Sequence, residues 1–129
     1  MNSQESIQFL VALQSLVMAI SHIAQPRAWV DFFVWLRGKG HAGVFANGFL
    51  ALWFGTVIVA FHNVWSGLAI VVTLLGWAQV LKATVAFVAP QLSMRGLMRV
   101  SYERSHEFVV AGVALLAMSG VCWYVVLAS

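Results

Sequence analysis

The stretch His62-Asn63-Val64-Trp65-Ser66-Gly67 separates two strongly apolar runs, residues 41–61 and 68–89. A helix rises 1.5 Å per residue, so about 20 mostly apolar residues cross the hydrocarbon of a bilayer. Both runs qualify. So short a connection between them forces an antiparallel hairpin of two spans. Asn63 and Gly67 suit a tight turn, and Trp65 suits the interfacial belt.

Two further runs of the same kind lie outward from this hairpin, at residues 7–24 and 108–127. The expected fold is all-α: a single transmembrane domain over residues 1–129, a four-transmembrane-helix bundle. The composition agrees. Hydrophobic residues make up 62% of the chain and charged residues 9%, against about 25% charged in soluble domains. That excludes a soluble monomer and a disordered chain. Seven Lys+Arg do not form a phosphate-binding stripe despite a pI of 9.6, so no nucleic-acid partner is expected. Residues 1–6 carry Glu5 and no Lys or Arg, so the first run reads as a retained span rather than a cleaved signal. The single cysteine, Cys122, excludes an internal disulfide, and no zinc or phosphate-loop motif occurs.

The charges set the expected orientation. Arg27, Arg37 and Lys39 lie in the first connection, and Arg95, Arg99 and Arg104 in the third. The tails and the 62–67 turn have no Lys or Arg. The positive-inside rule therefore places both long connections in the cytoplasm of a bacterial-type inner membrane, with both termini outside. Both connections read as interfacial helices. Trp29, Phe32, Phe33 and Leu36 recur at helical spacing in one, and Arg95 and Arg99 lie four apart in the other. Arg27, Arg37, Arg95 and Arg99 are expected at lipid headgroups. Each connection begins at a proline (Pro26, Pro90) and ends near a histidine (His41, His106), which suggests a span–surface helix–span unit used twice.

Lipid supplies no hydrophobic drive for helix pairing, so small residues and polar contacts must hold the spans together. Gly48, Ala51 and Gly55 form such a face on the second span, Gly76 and Ala83 on the third, and Ala111, Ala114 and Ala117 on the fourth. A homo-oligomer or a place in a larger membrane complex is expected on the same ground.

Polar residues inside spans mark candidate sites. Gln8, Ser15 and His22 are spaced by seven and share one helix face. Lys82 either snorkels to the headgroups or faces a cavity with Glu107 as its partner. Together His22, His41, Asn47, Gln79, Lys82, His106 and Glu107 gather in the cytoplasmic half. Ligand binding is expected at His22, Asn47, Gln79, Lys82, His106 and Glu107, with lipid or another amphiphile as ligand. Histidines from several helices also permit a b-type haem or a metal site, although no Glu-x-x-His pair in the spans supports a di-metal carboxylate centre. A lipid-modifying enzyme with His22 or His106 as base and Glu107 orienting it is the remaining alternative. At the other end His62, Asn63 and Trp65 form a candidate recognition tip. Trp53 and Trp77 fall near mid-membrane, where they either line an apolar pocket or fill space between helices.

The His62-Asn63-Val64-Trp65 turn, followed by Gly76-Trp77 and Leu81-Lys82, resembles small bacterial four-span membrane proteins of unassigned function. The resemblance covers residues 48–90. It implies a fold and a membrane location, and no catalytic residue.

Overall fold

A computed structural model describes residues 1–128. Among these residues there are helices and no strands: α1 (Ser3–Ala24), α2 (Pro26–Gly38), α3 (His41–Phe61), α4 (Ile70–Val88), α5 (Pro90–Met98), a 3-10 turn (Tyr102–Arg104) and α6 (His106–Ala128). Four helical segments, Ser3–Ala24, His41–Phe61, Ile70–Val88 and Tyr102–Ala128, are long and apolar enough to cross a membrane. By composition this is an integral membrane protein.

The first helix starts four residues earlier than its apolar run. Asn2 Oδ1 accepts the Glu5 N–H at 2.8 Å, and the Glu5 carboxylate accepts the Asn2 N–H at 3.3 Å. This capping box satisfies N–H groups that a helix start leaves unpaired. Pro26 and Pro90 are each the first residue of a short helix, where a missing N–H costs nothing. Gly40, with φ 63°, turns the chain into α3, and Gly67, with φ 68°, closes the turn before α4.

The long helices pack as two close pairs, α1 with α6 and α3 with α4. In the second pair the expected small-residue face is the buried one: Gly48, Ala51 and Gly55 of α3 lie against Gly76, Ala83 and Ala86 of α4. A Cβ on Gly55 would come within 2.9 Å of the Gly76 carbonyl oxygen. In the first pair the face differs from the expectation. Ala111, Ala114 and Ala117 are exposed, and α6 buries Gly112, Ser119 and Cys122 instead. The reason is closeness of approach: a Cβ on Gly112 would sit 2.8 Å from Ile23 and 3.0 Å from the Ala19 carbonyl. Seven residues on, the Ser119 hydroxyl donates to the Ala12 carbonyl at 2.8 Å.

The pairs share a core at one end. Near the 62–67 turn, Ile7, Val11 and Ala12 of α1, Ile58 of α3, Val72 of α4 and Cys122 of α6 share one core. Phe9 and Trp123 meet edge to face there, with centroids 5.4 Å apart, so the first turns of α1 and the last turns of α6 lie at this turn end. The opposite, basic end carries α2 and α5. A smaller core of Val44, Ala86 and Leu97, flanked by Phe33 and Met94, seats the two short helices on the α3–α4 pair. Arg37 reaches across from α2 and donates to the carbonyls of Leu97 (3.1 Å), Met98 (3.5 Å) and Val100 (2.7 Å). A cation there complements the carbonyl-rich C-terminal end of α5. Tyr102 donates to Asp31 while Arg27 lies 4.6 Å over its ring, which ties the 3-10 turn to α2.

Candidate functional site

An open groove of about 670 Å³ runs between the pairs, from Leu10, Phe54, Val57 and Leu75 beside the turn-end core to His22 and Lys82. Its apolar walls include Leu10, Leu50, Trp53, Phe54, Leu75 and Leu115. Its polar groups are Gln14, Ser15, His22, Asn47, Gln79 and Lys82. Trp53 therefore lines an apolar pocket, one of its two expected roles.

Helix geometry explains why Asn47 and Lys82 stand at one level. Asn47 is six residues into α3, and Lys82 is six residues before the end of α4. Each is therefore about 9 Å from the basic end, and Gln79 is about one turn deeper. Asn47 and Lys82 also line a neighbouring cavity of about 350 Å³ with Phe33, Leu97 and Phe108. They stand where two openings meet.

Lys82 has no acidic partner among the described residues. The expected pairing with Glu107 does not form, because Glu107 meets Arg99 at 3.4 Å on the surface. Both of those side chains are more than half exposed, so the ion pair adds little stability. Arg99, Arg104 and Glu107 line a separate surface cavity of about 280 Å³. Glu107 and His106 are thus placed outside the Lys82 groove.

His22 is in the groove but is held by the protein. Its Nδ1–H donates to the Met18 carbonyl at 2.7 Å, and its ring stacks on Trp29 at 4.3 Å. Trp29 in turn donates its indole N–H to the Ser21 hydroxyl at 2.9 Å. His22 is the one histidine that lines the groove: His41 and His106 are exposed at helix starts, and His62 lies at the turn end. The structure does not bring a pair of axial histidines together in this cavity, nor Glu107 to His22. No group of three or more His, Cys, Asp or Glu side chains gathers among the described residues.

The four arginines expected at headgroups divide. Arg95 and Arg99 are exposed at the basic end, and Arg27 is exposed above Tyr102. Arg37 is turned to the α5 carbonyls instead.

The expected recognition tip is only partly on the surface. Trp65 is exposed, and Asn63 Oδ1 accepts the indole N–H of Trp65 (3.2 Å) and of Trp77 (3.4 Å). Side chains on a helix lean toward its N-terminus, which carries the Trp77 indole to the turn although its backbone is deeper. His62, in contrast, is fully buried. The Thr73 hydroxyl donates to the Val64 carbonyl at 2.8 Å. It therefore accepts from His62 Nδ1–H at 3.0 Å, which leaves Nε2 to accept the Gln8 amide N–H at 3.0 Å. Burial pushes the His62 pKa below the ordinary histidine range, outweighing a backbone hydrogen bond that raises it. His62 is a polar tie between α1, α4 and the turn. Thr73 carried no periodic or motif signal that would have singled it out.

No family model, curated protein or solved structure matches the chain.

Proposed function

We propose that this protein is a non-enzymatic binding component of a membrane, and that the groove between its helix pairs holds an amphiphile with an anionic head. The observation that carries this reading is Lys82: a cation in the wall of an apolar groove, with no carboxylate beside it among the described residues. A charge within a span needs a partner. Asn47 and Gln79 add hydrogen-bonding groups near it, while Leu50, Trp53, Phe54 and Leu75 suit a hydrocarbon tail. Free phosphate would satisfy Lys82 and leave those walls bare, so a lipid is the better fit. Arg95 and Arg99 add attraction for anionic headgroups at the same end, worth about 1 kcal/mol per cation near a membrane surface.

In this reading the basic end faces the cytoplasm of a bacterial inner membrane, and both termini face out. The exposed alanines of α6, Ala111, Ala114 and Ala117, offer a smooth face for a second copy or a larger subunit.

The test is to purify the full chain in mild detergent and quantify the lipid that stays with it. Anionic lipid should be enriched over the bulk membrane, and addition of millimolar inorganic phosphate should not displace it. Lipid in bulk proportion, or displacement by phosphate alone, would count against the reading.

A further inference from the structure

The two halves of the chain repeat their contacts at a constant offset. Pro26 and Pro90 stand 64 positions apart, each opening a short helix. The same offset carries α1 onto α4 and α3 onto α6.

The packing follows that register. A Cβ on Gly48 would lie 3.0 Å from Ala86 and 3.1 Å from Phe87. A Cβ on Gly112 would lie 3.0 Å from His22 and 2.8 Å from Ile23. Each residue in the first contact is 64 positions from its counterpart in the second: Gly48 with Gly112, Ala86 with His22, Phe87 with Ile23. A second contact repeats in the same way. Ser119 bonds the Ala12 carbonyl, and the equivalent Gly55 abuts the equivalent Gly76 carbonyl. Ile58, packed on Gly76, corresponds to Cys122, which shares the core with Ala12.

The pairing is exchanged between halves. The first helix of one half packs on the last helix of the other, in both directions. A two-fold axis running along the long helices produces that exchange, and both halves cross in the same sense. The groove lies on this axis, because its lining includes both members of three equivalent pairs: Ser15 and Gln79, Met18 and Lys82, Ala51 and Leu115. The halves diverge at the polar positions. Lys82 answers to Met18, and Asn47 to Ala111.

We infer that the chain is two fused copies of one 64-residue helix–surface helix–helix unit, and that the axial groove takes a single anionic lipid headgroup because one copy alone supplies a lysine there. This rests on the lipid-binding reading above. It adds that the site is symmetric in shape and one-sided in charge, so a lysine moved to the equivalent position should serve.

The experiment is native mass spectrometry of the full chain in micelles doped with phosphatidylglycerol or phosphatidylcholine. Lys82→Met should weaken the preference for phosphatidylglycerol about fivefold, and the double variant Met18→Lys/Lys82→Met should regain it. An unchanged preference in Lys82→Met would overturn the headgroup assignment, and the lipid-binding reading with it. A folded double variant that stays at the Lys82→Met level would overturn the two-fold assignment and leave that reading standing. Spin labels give a check independent of that variant's folding. The pairs Val17–Ala114 and Leu81–Leu50 are related by the axis and all four residues are exposed. Matching distance distributions support the inference, and clearly different ones overturn it.

Discussion

The Gln8 amide nitrogen and Nε2 of His62 lie 3.0 Å apart, although 54 residues separate them in the chain. This bond ties the start of α1 to the turn after α3, with both partners buried. Gln8→Leu should strand the His62 acceptor and destabilise the fold by about 1–3 kcal/mol. Thermal unfolding in detergent reads the loss, and an unchanged midpoint would show that the bond does not form.

The same histidine gives the fold a pH dependence of known sign. Its folded pKa lies below the unfolded value because burial disfavours the charged ring. The unfolded chain therefore binds more protons as pH falls below about 6.5, and stability drops with it. Melting curves between pH 8 and 5 should show this decline. His62→Gln should flatten it, whatever that variant's absolute stability.

Close approach between α3 and α4 makes Gly76 intolerant of side chains. A Cβ there would fall 2.5 Å from Ile58 Cγ2. Gly76→Ala should cost about 1–3 kcal/mol from overpacking. Gly120→Ala, which meets nothing within 4 Å, should be neutral or raise stability by up to about 1 kcal/mol through helix propensity. Equal midpoints for the two variants would contradict the packing described.

Arg37 and Arg95 both lie at the basic end but do different work. Arg37 holds carbonyls at the end of α5, while Arg95 is exposed. Arg37→Gln should free the segment around Arg99 and Arg104 for tryptic cleavage several-fold faster. Arg95→Gln should leave that rate unchanged. Similar rates for both variants would argue against the α2–α5 clamp.

The four long helices were legible because span length and apolarity are local properties of the chain. The α3–α4 interface was legible for a related reason: Gly48, Ala51 and Gly55 form one stripe, and no competing small-residue stripe exists on α3. On α6 two stripes compete. The alanines look like the packing face until α1 is present, when Gly112 and Ser119 allow the closer approach. His62 reads as a surface residue from its place in a polar turn, and only Gln8 and Thr73 explain its burial. Asn47, Gln79 and Lys82 were identifiable from their depth along the spans. Depth alone also paired Lys82 with Glu107, whereas Arg99 is the neighbour that Glu107 meets. Gln14 and Leu50 join the groove through the way the two helix pairs face each other, which no single-helix pattern encodes.

Photo-crosslinking in nanodiscs of mixed anionic and neutral lipid tests the proposed lipid groove most directly. A photoreactive residue at Leu50 would sit in the groove wall, and one at Val113 on an exposed face of α6 that does not line it. The Leu50 adduct should be enriched in anionic lipid and the Val113 adduct should mirror the bulk mixture. Adducts of bulk composition at both positions would contradict a headgroup site at Lys82.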